Sequence, residues 1–182
     1  ILGNHNYTNK NKMTGKTHQH RILLLCGKAG SGKDTSFEIL KQLMAKYHPE
    51  INIKQYAFGR PLKEIVVQTT RLYSGLELSV EAMNDLSYKE TPIPDYNIHI
   101  SGTTKPFVVR KLLQQMGTDI LRKHLGDDIF ARAIVRQIEQ DFETAIKPTL
   151  AVITDLRFPN ELETIQVYCD RACYECQIVF IM

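Results

Sequence analysis

Gly27, Gly32 and Lys33 stand at the spacing G-x-x-x-x-G-K, inside the run Gly27-Lys28-Ala29-Gly30-Ser31-Gly32-Lys33-Asp34-Thr35. That spacing suits one task, the holding of a polyphosphate. Glycines admit positive φ and let backbone N–H groups approach phosphate oxygens closely. A helix beginning near Lys33 points its partial positive end at the same anion. Lys33 adds a compact cation for the terminal phosphates. The apolar run from Ile22 before the loop and the amphipathic stretch after it are the strand and helix that the motif requires. The hydroxyl comes one place late, because Asp34 separates Lys33 from Thr35. Asp34 and Thr35 are therefore both candidates for a magnesium ligand.

A second carboxylate suits the same chemistry. Asp155 follows the apolar run Leu150 to Ile153, at the carboxyl end of an expected strand, where ligands gather in open α/β sheets. An aspartate there holds magnesium directly or through water. Arg157 projects from the same sheet edge toward the phosphates. After the second expected strand comes Ala57-Phe58-Gly59-Arg60-Pro61-Leu62-Lys63-Glu64. Arg60 and Lys63 either reach an anionic acceptor or are surface charges of an amphipathic helix. Phe58 either stacks on a nucleobase or is a buried strand-end aromatic. Arg132 and Arg136, four apart, read as a solvated helix face.

The elements that position these residues are read from periodicity. Phe37, Leu40, Leu43 and Met44 predict a helix to about Tyr47, ended by His48-Pro49. A strand is expected over 51–58, then a helix with Pro61 at its first position running to about Leu72. Val80 to Tyr88 reads as a short helix, and the stretch from Thr91 to Pro106 as a long loop with no period, carrying a solvated His99. Val109, Leu112, Leu113, Met116, Ile120 and Leu121 form a helical stripe interrupted at Gly117. Asp127 or Asp128 caps the next helix, along which Phe130, Ile134, Ile138 and Phe142 recur. A helix from about Asn160 to Tyr168 and a last strand from Gln177 to Ile181 follow. Strands alternating with helices predict an α/β fold of three layers, a P-loop NTPase fold with a parallel sheet flanked by helices.

With 182 residues the chain fits one domain. Lys10, Lys12 and Lys16 account for the whole excess of 23 basic over 20 acidic residues. Residues 21–182 are thus neutral, which speaks against stable nucleic-acid binding. Residues 1–20 read as a disordered polar tail, with Met13 a candidate start. No apolar run approaches the roughly 18 residues of a membrane span, and the tail lacks the apolar centre of a signal peptide. A cytoplasmic protein is expected, in the host cytoplasm if the source is viral. Cys169, Cys173 and Cys176 cluster without a fourth ligand nearby, so free thiols are expected rather than zinc.

Read together and in this order, GKAGSGKDT, FGRPLKE, YKETPIP, RKLLQQMGTDILRKHLGDDIF and ITDLRFPNE resemble the phage-type deoxynucleoside monophosphate kinases. The Lys-x-Thr ending of the glycine loop is itself similar to the nucleoside monophosphate kinase group. The resemblance runs from about Ile22 to Phe180. It implies ATP- and Mg2+-dependent phosphorylation of a deoxynucleoside monophosphate to the diphosphate. It also implies that Lys63, Arg110, Arg122, Asp155 and Arg157 lie at the active site. Two departures stand out: Arg60 replaces a usual acidic residue, and the family continues past Met182 with an adenine-side segment. An apolar last strand without that segment predicts self-association, such as a homodimer, or a weaker grip on adenine.

The chemistry is physically coherent. Two like charges ~4 Å apart repel by about 4 kcal/mol at an effective dielectric near 20, so donor and acceptor phosphates need Lys33, Lys63, Arg110, Arg122, Arg157 and magnesium between them. The acceptor phosphate is already an anionic nucleophile and needs no strong base. Positioning and charge stabilisation would do the catalysis. Two other readings fit the glycine loop: a P-loop kinase of another phosphorylated acceptor such as phosphomevalonate, and a P-loop binding module without chemistry.

Overall fold

The computed structural model describes residues 20–181 apart from 29, 75, 101 and 102, with the backbone alone for 73, 74, 94–100 and 103–105. The tail, except His20, and Ala29 of the glycine loop lie outside these residues. His20 is buried and its ring stacks on Phe142 with centroids 4.4 Å apart.

Four parallel strands make the central sheet, in the order β2-β5-β1-β6. They are β1 (Arg21–Cys26), β2 (Asn52–Tyr56), β5 (Thr149–Leu156) and β6 (Glu175–Phe180). The two middle strands, β1 and β5, are the most apolar runs in the chain because both of their faces are covered. Successive side chains of β5 point to opposite faces. Ala151 and Ile153 enter a core with Ala131, Ile134, Ile138 and Phe142 of α6 (Ile129–Thr144) and Ile165 and Cys169 of α7 (Pro159–Ala172). Val152 enters a smaller core with Leu25 of β1 and Phe37 of α1 (Lys33–Tyr47). Helices thus lie on both faces of the sheet, and the three expected layers are present.

α1 leaves Ile39, Leu43 and Tyr47 about half exposed or more, so its buried stripe narrows to Phe37 with Leu40 beside it. α2 (Gly59–Ser74) starts two residues before Pro61. The expected helix over 80–88 is a 3-10 turn (Ala82–Asn84) followed by the single-turn α3 (Leu86–Lys89). Asp85 breaks the run by capping α3, accepting from the amides of Ser87 and Tyr88.

The expected loop after Thr91 is instead an antiparallel pair, β3 (Pro92–Ile100) and β4 (Thr103–Val108). Pro92 is the first residue of β3 and Pro106 lies in a two-stranded ribbon that has only edges, while the pairing register shifts between Pro92 and Asn97, the span that holds Pro94. His99 belongs to β3 rather than to a loop.

The stripe from Val109 is one continuous helical stretch: α4 (Val109–Gln114), a π-helical segment (Gln115–Arg122) and α5 (Lys123–Leu125). The chain stays helical through Gly117, but the α pattern ends at Gln114 and gives way to the π segment that contains it. A Cβ there would lie 2.7 Å from Cδ2 of Leu62, so glycine lets α2 pack directly on the π segment. Asp128 occupies the N-cap of α6, but its carboxylate pairs with Arg132 instead of capping an amide. A separate apolar cluster, Val66, Met83, Ile93 and Val109, binds α2, the 3-10 turn, β3 and α4 together beside the sheet.

Candidate active site

The glycine loop and Asp155 stand at the carboxyl ends of the paired strands β1 and β5. The glycine loop leaves β1 at Gly27, where a Cβ would stand 2.5 Å from the carbonyl oxygen of Ile181 and 2.6 Å from Oγ of Ser31. No other residue fits between the end of β6 and the loop. Gly30 (φ 77°) and Gly32 (φ 84°) take the left-handed conformation that turns the chain into α1. Lys33 opens α1 and bends back across the loop, donating to the carbonyl oxygens of Gly27 (2.8 Å) and Lys28 (2.7 Å) and to Oγ of Ser31 (3.4 Å).

Asp34 is tied to the sheet. Nε2 of Gln55 donates both to its Oδ1 (3.2 Å) and to Oγ1 of Thr154 (3.1 Å), the residue before Asp155. Thr35 is exposed one residue further along α1. Asp155 stands at the end of β5 with both oxygens engaged: Oδ1 accepts from the amide of Phe58 (2.7 Å) and Oδ2 from that of Gly59 (3.1 Å). Burial raises its pKa, and these two amides, with Arg157 and Lys63, oppose the rise. Asp155 therefore fastens the start of α2 to the sheet, a role its position in the sequence did not announce. Each carboxylate oxygen keeps a further lone pair.

Asp34, Thr35 and Asp155 offer only hard oxygen donors, and Gln55 ties Asp34 to the end of β5. That set fits magnesium, which is bound through one or two carboxylates plus substrate phosphates rather than in an all-protein cage. Among the described residues no three His, Cys, Asp or Glu side chains form such a cage. All four cysteines are free thiols.

The basic residues gather on one side. Lys63 of α2 donates to Oδ1 of Asn84 (2.6 Å) and lies within the field of Lys89, Asp155, Arg157 and Arg60. Burial, then the charge of Lys89, lowers its pKa. Lys89, the last residue of α3, is lowered likewise by burial and then by Arg110 and Arg157. Arg110 at the start of α4 is paired with Glu90. Arg60 pairs with Glu64 one turn on (2.9 Å) and lies 3.9 Å from Glu81, so it is in part the surface charge that an amphipathic helix would carry.

Two placements change the sequence picture. The ring of Phe58 is buried in the main core, which corrects its reading as a base-stacking aromatic; only its amide reaches the site. Arg122 is held away from open solvent. Its guanidinium lies over the rings of Phe158 (4.9 Å) and Phe130 (5.4 Å), and Nη2 is 3.5 Å from Oε1 of Glu161. Arg132 and Arg136 are exposed, as expected of a solvated face.

Sequence reasoning missed Glu161 and Lys89. Glu161 is 3% exposed; its Oε2 accepts from the amides of Arg157 (3.0 Å) and Phe158 (3.1 Å) while Oε1 faces Arg122. Its signal was present: a glutamate at the third position of a helix whose first residue is Pro159. Lys89 lay inside a quoted motif, but nothing local distinguishes it from a surface lysine.

No protein-family model matches the chain. The chain is 26% identical, over an alignment 189 positions long with gaps, to the deoxynucleoside-5'-monophosphate kinase of Escherichia phage T5. The alignment spans 78% of this chain and 70% of that one. The chain resembles that phage kinase along most of its length. This bears out the likeness read from the motifs. A thymidylate kinase from Ehrlichia chaffeensis aligns over 89% of either chain at 13% identity with a TM-score of 0.29, too loose a superposition to add weight.

Proposed function

We propose that the chain is a kinase that transfers the γ-phosphoryl group of ATP, with Mg2+, to a deoxynucleoside monophosphate and releases the diphosphate. The observation that carries this reading is a glycine phosphate loop whose Asp34 is tied through Gln55 to the end of β5, where Asp155 holds the start of the helix that carries Lys63. Likeness to a phage deoxynucleoside monophosphate kinase supports it.

On this reading Gly27 to Thr35 cradle the triphosphate of ATP and Lys33 follows the charge on its terminal phosphates. Asp34, Thr35 and Asp155 would hold the magnesium, which when bound neutralises charge on the transferring group. Lys63 and Arg110 hold the acceptor, and Arg60 reaches it from the edge of α2. Arg157 stands between the two phosphate groups. Arg122, kept rigid by Glu161 and two aromatic rings, adds a fixed cation that needs no reorganisation during transfer. The acceptor phosphate attacks as an anion, so the site needs no general base.

No described helix is long and apolar enough to cross a membrane, and we place the protein in the cytoplasm, with ATP and monophosphates. The test is ADP release with each deoxynucleoside monophosphate, each ribonucleoside monophosphate, phosphomevalonate and no acceptor. Turnover with a deoxynucleoside monophosphate is expected; turnover with phosphomevalonate alone would overturn the reading.

A further inference from the structure

The cations around the site differ in what they hold. Arg110 pairs with Glu90, Arg60 with Glu64, Arg122 with Glu161, and Lys63 donates to Asn84. Lys33 is occupied by the loop carbonyls. Among the described residues, only general electrostatics links the Lys89 ammonium and the Arg157 guanidinium to their surroundings; neither has a hydrogen-bonded or ion-paired acceptor. Lys89 adjoins Glu90, the partner of Arg110, and Lys63 reaches Asn84 in the turn just before α3, so both cations lie near Lys89. The charge of Arg157 also lowers the pKa of Lys89.

The nearby carboxylates are committed elsewhere. Asp85 caps its own helix, and both oxygens of Asp155 accept backbone amides. Lys89 is also partly buried. A partly desolvated ammonium among cations is unfavourable by itself, and an arriving anion reverses that.

The arrangement is built rather than accidental. Asp85 fixes α3, Met83 and Val109 are fully buried in the cluster that binds α3's surroundings to α2 and α4, and the amide of Val109 donates to the carbonyl of Thr91 (3.1 Å). Three helices, α2, α3 and α4, thus carry Lys63, Lys89 and Arg110, and the turn after β5 carries Arg157.

We propose that Lys89 is the primary binding group for the phosphate monoester of the acceptor, with Arg157 as a second cation that no protein carboxylate pairs. This assignment rests on the kinase reading above. Lys89 makes the ion pair with the monoester that no protein carboxylate makes with it, while Lys63 and Arg110, already tethered to Asn84 and Glu90, add the secondary contacts that hold the acceptor.

The experiment measures initial rates with ATP and the best deoxynucleoside monophosphate varied in turn, for wild type, Lys89→Met, Lys89→Arg and the remote control Lys41→Ala. Methionine keeps the apolar stem and removes only the charge. Binding of the monophosphate without ATP is measured by calorimetry for the same four proteins, with the unphosphorylated nucleoside as comparison. The assignment expects Lys89→Met to raise the KM and Kd for the monophosphate by about tenfold or more. The KM for ATP should stay within about twofold and the nucleoside's affinity should not change, and Lys89→Arg should recover most of the loss. An unchanged monophosphate Kd in Lys89→Met, with wild type fully active, overturns the Lys89 assignment and leaves the kinase reading standing. A wild type that turns over no monophosphate overturns both.

Discussion

Replacing Glu161 by alanine tests whether the helix start that carries Arg157 is held as described. Glu161 is 3% exposed and serves three partners: Arg122 at 3.5 Å and the amides of Arg157 and Phe158 at 3.0 and 3.1 Å. Breaking a buried ion pair from one side costs roughly 3–5 kcal/mol. Two things reduce that here. Arg157 and Phe158 are exposed, so water can take over their amides. Burial raises the pKa of Glu161, so its ionised form is already held at a cost. We therefore expect a net loss of about 3 kcal/mol, which for a domain of this size lowers Tm by roughly 6–12 °C. Glu161→Gln keeps the volume and one acceptor oxygen, and about half that loss is expected. Urea unfolding of both variants reads the magnitudes. A double-mutant cycle with Arg122→Ala should give a coupling on the order of 1 kcal/mol or more. An alanine cost below about 0.5 kcal/mol, or no coupling to Arg122, would refute the reasoning.

Three further outcomes follow from the same geometry. Gly27→Ala places a Cβ 2.5 Å from a backbone carbonyl that cannot rotate away, so β6 or the loop must shift; melting temperature and triphosphate affinity should both fall, measured by scanning calorimetry and titration. Lys33→Ala should lower kcat by about a hundredfold or more with the fold retained, checked by steady-state rates beside circular dichroism. The lowered pKa values of Lys63 and Lys89 give a two-sided pH signature, with Arg60, Arg110, Arg157, Asp155 and Asp85 as the facing charges. Between their folded values and the ordinary 10.5 the unfolded chain binds more protons, so stability rises with pH while the two ammonium charges that bind phosphate are lost. Unfolding free energy should therefore increase, and monophosphate affinity decrease, across that window; parallel changes in the two would contradict it.

The phosphate loop, the sheet and the helices α1, α6 and α7 were legible because each has an unbroken period or a motif with a fixed context. The pair β3–β4 was not, since Pro92, Pro94 and Pro106 mark a loop in any local reading, and the pairing that overrides them is tertiary. Gly117 read as a break for the same reason: its cause is Leu62, fifty-five positions away in the chain but 2.7 Å from a would-be Cβ. The carboxyl end of β5 was correctly marked as a site, yet the partners of Asp155 are amides almost a hundred residues earlier. Phe58 stayed ambiguous in sequence because a strand-end aromatic can turn either way. Lys89 carries no local signal at all; its setting arises from three other cations brought near it by packing.

The most direct measurement is ADP formation by the wild-type chain with ATP and Mg2+, run against the panel of monophosphates, phosphomevalonate and a no-acceptor control. The account predicts turnover with one or more deoxynucleoside monophosphates, formation of the matching diphosphate in equal amount, and almost no ADP without acceptor. Triphosphate binding with no transfer to any nucleoside monophosphate would contradict it.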